Sequence, residues 1–252
     1  MRVKLFSIFS FSITLFLLFF NIVSSQDSPV ENFRFREPNL LESDAFSMIG
    51  DSRTQYIFQL GANSDWDSQY FLGELRGECS SNKTTIQNLG IGGSTTRDWI
   101  YIFEKEILKL EEISNRVVLM LGGNDAIRLS NKLKNKNDSA TVDEELEEIH
   151  SRLKLIIQTL LDKGKEVIVQ THFLASPRKK SPSNKIIEKY LIGLNQRIIR
   201  DYSENKVEKV SVAIIEPKFP SIFFLDNAHL NQLGFKAHAH YLNLELKKRC
   251  WW

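Results

Sequence analysis

Apolar runs and helix-spaced apolar stripes alternate along most of the chain. Residues 45–49 (Ala45, Phe46, Ser47, Met48, Ile49) run apolar up to Gly50, the pattern of a strand buried on both faces. The run at 116–121, with Val117-Val118-Leu119-Met120, repeats it, and 84–87 is a more polar version. Strands are also expected at 166–171 and 207–215, giving about five. Between them Leu146, Ile149, Leu153, Ile156, Ile157 and Leu160 fall on one helical stripe. A capping-box pattern of Thr141 with Glu144 opens that helix and Gly164 is its stop. A second helix from about Ser183 turns Ile187, Tyr190, Leu191, Leu194 and Ile198 inward, and 99–110 and 232–248 read as two more. Strands alternating with helices predict an α/β domain: a three-layer α/β/α sandwich with a mainly parallel central sheet. Ligands of such sheets bind beyond the carboxyl ends of the strands.

That placement matters because three short motifs directly follow predicted strands. They are Gly50-Asp51-Ser52, Gly90-Ile91-Gly92-Gly93-Ser94-Thr95 and Gly122-Gly123-Asn124-Asp125; a fourth, Asp226-Asn227-Ala228-His229, lies near the C-terminus. A serine hydroxyl is a weak nucleophile until a base takes its proton, so Ser52 requires a histidine. His229 is the candidate, and Asp226 three residues before it can hold the imidazole tautomer and offset its charge. An oxyanion formed by attack on a carbonyl needs donors aimed at it. The backbone N–H of Gly93, approachable because glycine has no side chain, and the uncharged NH2 of Asn124 fit that need.

Each motif has a plainer reading. Gly, Asp and Ser are common turn formers, so Gly50-Asp51-Ser52 alone is an ordinary turn. Gly90-Ile91-Gly92 after a strand resembles a dinucleotide loop, but Thr95 stands where its third glycine belongs. The Asn124-Asp125 pair could cap a helix, and His229 could simply start one. The order of all four, not any one, favours a catalytic site. The chain contains no Gly-x-Ser-x-Gly elbow, which argues against the α/β-hydrolase arrangement.

Together the four stretches resemble the SGNH (GDSL-type) hydrolases. Gly50-Asp51-Ser52 is similar to the family's first block, and Asn88-x-Gly-Ile-Gly-Gly-x-Thr-Thr to its second. Gly122-Gly123-Asn124-Asp125 is similar to the third, and Asp226-x-x-His229-Leu230-Asn231-x-x-Gly234 to the fifth. The second stretch is also worded like the platelet-activating-factor acetylhydrolase subunits of that family. The likeness spans roughly residues 45–248. It implies the flavodoxin-like fold of the family and a serine esterase: Ser52, His229 and Asp226 as triad, and Ser52, Gly93 and Asn124 as oxyanion hole. No cofactor and no metal are implied. Two positions depart from the pattern, Arg53 for Leu and Ser94 for Asp, and these bear on substrate and subfamily rather than on reaction type.

The N-terminus adds a destination. Arg2 and Lys4 precede an apolar run from Leu5 to Phe20 and then Val23-Ser24-Ser25, the pattern of a secretory signal at 1–25 cleaved before Gln26. An uncleaved anchor is the alternative, since the run is near the minimum that spans a bilayer. Residues 26–43, polar with Pro29 and Pro38, read as a linker, and 44–252 as one hydrolase domain. Cleavage removes two of the 33 basic residues and none of the 31 acidic ones, so the mature chain is formally neutral and carries no basic field for nucleic acid. Basic tracts at 132–136 and 178–185 read as solvated loops, or as contacts to an anionic glycan or lipid headgroup at a membrane. The Glu-rich stretch 144–148 is a solvated helix start rather than a metal site. Cys79 and Cys250 suit an exported chain; whether they pair is left open by sequence. Asn82 and Asn137 are glycosylation acceptors only if the host performs that chemistry. His172, near a strand end, is either a pocket residue or structural.

The expectation is thus an exported esterase acting on a small ester or an acylated glycan or lipid, with O-deacetylation of a glycan favoured. A lysophospholipase-like or acyltransferase activity would use the same residues. A non-catalytic member that binds a glycan or a protein is the rival from another class, as is an unrelated sugar- or nucleotide-binding α/β domain.

Overall fold

The structure is a computed structural model that describes residues 46–56, 86–133, 139–174, 182–204, 207–216, 218–226 and 228–249. The proposed signal and linker, Cys79, Cys250, Asn82, Asn137 and most of the loop at 54–78 lie outside the described residues, as does part of each basic tract.

Five parallel strands form one sheet: β1 (Phe46–Gly50), β2 (Ile86–Asn88), β3 (Arg116–Met120), β4 (Glu166–Gln170) and β5 (Val210–Ala213), in the order β2-β1-β3-β4-β5. Register is set pair by pair, with Met48 opposite Asn88 and Val118, and Ile168 opposite Ser211. Both faces are covered, which is why the strands read as continuous apolar runs. Val117, Leu119, Val167, Val169, Val210 and Val212 point to one core. Three helices supply most of that core: α2 (Thr96–Glu104) through Trp99 and Ile102, α4 (Ser139–Asp162) through Leu146, Ile149 and Leu153, and α5 (Pro182–Ile198) through Tyr190 and Leu194; Ala126 and Leu129 add to it. Phe46, Met48, Val118 and Ile168 point the other way, to Phe235, Ala239, Leu242 and Leu246 of α6 (Gln232–Lys248). Two further helices stand at strand exits, α1 (Ser52–Gln55) after β1 and α3 (Gly123–Lys132) after β3. The sandwich and its parallel sheet are as expected, and α6 has the expected bounds.

Differences in the other elements have local causes. Helix α2 starts three residues before the expected 99, because Thr95 and Asp98 form a reciprocal capping box. It ends at Glu104, and Glu106 follows with φ 51°. Helix α4 begins at Ser139, so Thr141 lies inside the helix and is not its cap. Its stop is as expected: Gly164 has φ 77°, with its N–H on the Leu161 carbonyl. Strand β5 is shorter than the 207–215 run because a turn precedes it, with Lys209 at φ 61° and the Val210 N–H bonded to the Val207 carbonyl. Helix α5 continues into a wider turn over Ile199–Glu204.

In this order the chain runs from β1 to β2 and then crosses back over β1 to β3. The crevice where the direction reverses lies at the carboxyl ends of β1 and β3. Ser52 follows the first and Asn124 follows the second.

Candidate active site

The buried strand β1 ends at Gly50, and Asp51 caps α1 by accepting the Arg53 N–H on Oδ1 at 2.8 Å. Ser52 is therefore the first residue of a short helix standing on the sheet edge. The loop after β2 packs against the same helix so closely that a Cβ on Gly90 would lie 2.8 Å from the Gln55 Cα, which only glycine avoids. That loop is stitched to β1: the Ile91 N–H bonds the Gly50 carbonyl at 3.0 Å, and the Ser94 hydroxyl reaches the same oxygen at 3.4 Å. Residues 91–94 then make a turn closed by the Ser94 N–H on the Ile91 carbonyl, with Gly93 at φ 77° in its third position. Such a turn wants glycine there, because other residues resist positive φ.

Helix α3 approaches the turn from the other side. The Asn124 Nδ2 donates to the Ser94 carbonyl at 3.0 Å, fixing the amide while its second N–H stays available. One helical turn on, Arg128 donates from Nη2 to the Gly93 carbonyl at 3.3 Å. Asp125 is buried and caps the neighbouring helix, accepting the Thr96 N–H at 3.0 Å and the Thr96 hydroxyl at 2.8 Å. Burial pushes its carboxyl up, against the pull of those bonds and of Arg152.

The fourth stretch sits on a small hairpin between β5 and α6. An antiparallel bridge joins Phe224 to Leu230, and the Leu225 N–H bonds the His229 carbonyl. Asp226 uses one carboxylate oxygen for the N–H groups of Ala228 (2.7 Å) and His229 (2.8 Å), and the other for the His229 Nδ1 at 2.7 Å. Burial raises its pKa, but these hydrogen bonds outweigh it and hold the carboxyl below its ordinary value. With Nδ1–H given to Asp226, the His229 Nε2 accepts the Ser52 hydroxyl at 3.0 Å. The ring is set by Tyr56, edge-on at 4.9 Å. Asn231 then caps α6 through the Gly234 N–H at 3.1 Å.

Ser52, His229 and Asp226 thus form one hydrogen-bonded chain, and the loops carrying Gly93 and Asn124 are bonded to each other beside it. The remaining expectations concern residues outside this chain of bonds. His172 is a structural residue: it is buried, with Nε2 on the Leu121 carbonyl at 2.9 Å. Two 2.7 Å bonds between its backbone and the Asn195 amide tie the β4 exit to α5. The departures from the family pattern, Arg53 and Ser94, are both buried, so neither lines a substrate surface. The acidic stretch pairs with bases, Glu145 with Lys132, Glu147 with Arg197 and Glu148 with Arg152. Among the described residues no group of three His, Cys, Asp or Glu is placed to hold a metal ion. The roles of Asp125, Asn195 and Arg128 were missed from sequence, since each partner lies over twenty positions away along the chain.

Solved structures share this fold at low identity. An acetylxylan esterase from Geobacillus stearothermophilus is 19% identical over 80% of this chain and 93% of its own, with a TM-score of 0.55. A GDSL-like lipase from Bacteroides thetaiotaomicron is 13% identical over 84% of this chain and 92% of its own, with a TM-score of 0.57. No curated protein matches the chain by sequence. Residues 48–237 match the GDSL-like lipase/acylhydrolase family, so the chain belongs to that family of ester-hydrolysing enzymes.

Proposed function

We propose that the protein is an exported serine esterase that removes short acyl groups, acetate above all, from a glycan. The observation that carries the reading is the unbroken chain from the Ser52 hydroxyl through His229 to Asp226, at 3.0 and 2.7 Å. Ser52 Oγ attacks the acyl carbonyl while the His229 Nε2 takes its proton. The N–H groups of Ser52 and Gly93 and the Asn124 amide receive the oxyanion. His229 returns the proton to the leaving alcohol, and the acyl group stays on Ser52. A water molecule then attacks, losing its proton to the same nitrogen, and the freed acid leaves Ser52 restored. An acceptor sugar in place of that water would give acyl transfer.

The acetate preference draws support from the acetylxylan esterase among the similar folds. Export draws support from the charged start and apolar run at 5–20. A second reading rests on a different observation. Ile222, Leu225 and Leu233, on and beside the hairpin that carries the triad, are each more than half exposed. That apolar rim favours a longer acyl chain or a lysophospholipid. The test is acetate release from acetylated xylo-oligosaccharides beside p-nitrophenyl esters of increasing length. Preference for acetate on both supports the deacetylase, and a maximum at eight carbons or more overturns it in favour of the lipase-like reading.

A further inference from the structure

Directly after Ser52 the chain buries a cation. Arg53 is 6% exposed and stands where the family carries leucine. From α1 its guanidinium reaches across the strand ends: Nη1 donates to the Phe173 carbonyl at 3.1 Å, and Cζ lies 4.3 Å above the Phe173 ring. A Cβ on Gly123 would come 3.8 Å from Nη1, so the group also lies beneath the start of α3. One side chain therefore touches the exits of β1, β3 and β4.

The groups facing it come from every element around it. They are Asp51 on the turn before α1, His172 at the β4 exit, His238 on α6 and Asp226 on the hairpin, while His229 on the hairpin and Asp125 on α3 act on Asp51. Neither histidine can share the charge. Burial, and then Arg53 itself, drive both to about 3, so both are neutral. His238 donates from Nε2 to the Gln170 Oε1, 2.6 Å away, and His172 donates from Nε2 to the Leu121 carbonyl. Asp51 and Asp226 are the carboxylates whose fields favour the guanidinium. Asp51 is itself buried; burial pushes its carboxyl up, and Arg53 is the strongest opposing influence. Among the described residues the guanidinium has one hydrogen bond and one ring contact, and a buried cation so held is costly unless carboxylates balance it. Asp51 and Arg53 therefore offset each other's burial on either side of Ser52, both lying beside Gly123.

We propose that Arg53 is a positioning residue for the nucleophile, which clamps the Ser52 turn to the β4 exit through Phe173 and supplies the positive charge that balances the buried Asp51 beside it. The inference rests on Ser52 being the nucleophile.

The test compares wild type, Ser52→Ala, Arg53→Met and Arg53→Lys on p-nitrophenyl acetate from pH 4 to 9, with folding checked by circular dichroism. Arg53→Met is expected to lower kcat about 10-fold to 10²-fold with KM within about 3-fold, the scale of a misplaced reacting group. The acid limb of its kcat/KM profile moves to higher pH, because without the cation Asp51 takes up a proton more readily. Arg53→Lys keeps the charge but not the planar clamp, so its kcat falls while its acid limb stays. An unmoved acid limb in Arg53→Met, or a kcat within about 3-fold of wild type, overturns the proposal. Should Arg53→Met not fold, a shifted acid limb in Arg53→Lys overturns it equally. Equal activity of wild type and Ser52→Ala would instead remove the serine mechanism itself, whatever the Arg53 variants do.

Discussion

Replacing Asp226 by Asn separates geometry from charge in the proposed triad. Asp226 has two tasks in the structure. One oxygen holds the Ala228 and His229 N–H groups and so shapes the hairpin; the other accepts the His229 Nδ1–H at 2.7 Å. An Asn oxygen can keep the first task. Its NH2 would then face Nδ1, which turns Nδ1 into the acceptor and leaves the proton on Nε2, unable to receive the one from Ser52. In a fully buried triad that change costs about 10⁴ in kcat. Here the Asp226 side chain is 52% exposed, so water can partly replace the carboxylate and screens its charge. We therefore expect kcat/KM for p-nitrophenyl acetate to fall about 10²-fold to 10³-fold, or about 2.7 to 4.1 kcal/mol in the barrier. Stopped-flow or plate-reader kinetics on the purified variant measures this directly. A variant within 10-fold of wild type would refute the assignment of Asp226 as the group that orients His229.

Two further outcomes follow from the same geometry. Asn124→Ala removes one oxyanion donor and the tie to the Ser94 carbonyl, so kcat should drop about 10²-fold to 10³-fold with measurable activity left; full activity would exclude Asn124 from the oxyanion hole. His172 and His238 are buried with folded pKa values near 3, below the ordinary 6.5, so the unfolded chain binds protons first as pH falls. Their contribution to stability is complete above about pH 6.5 and is lost as pH drops toward 3, which thermal melts across that window would register as a falling Tm; a flat Tm would contradict the burial of neutral imidazoles.

Sequence reached the sheet and the four site stretches because both are written locally. A doubly covered strand is an apolar run, and the site residues sit at strand exits within motifs of a few residues. Helix α6 was legible from its own spacing. Helices α1 and α3 were not, since α1 is only four residues long and the apolar face of α3, Ala126 and Leu129, is short and set among polar residues of the candidate site. The Thr95 and Asp98 capping box is written in the sequence, but the apolar pattern begins only at Trp99, three residues after the helix does. Arg53 and Ser94 show the harder limit. As departures from a motif they read as marks of substrate choice. In the fold Ser94 is buried, bonding Gly50, Asn124 and Trp99, and Arg53 reaches Phe173, 120 positions away. Such roles depend on long-range contacts that no local pattern encodes.

The central claim is that Ser52 is the nucleophile of an esterase, and hydrolysis of p-nitrophenyl acetate by wild type and Ser52→Ala tests it most directly. Steady turnover by the wild type and none above background for Ser52→Ala is the predicted result, because the Ser52 hydroxyl is the nucleophile whose proton the His229 Nε2 is placed to take. Equal turnover by a folded Ser52→Ala protein would contradict the account.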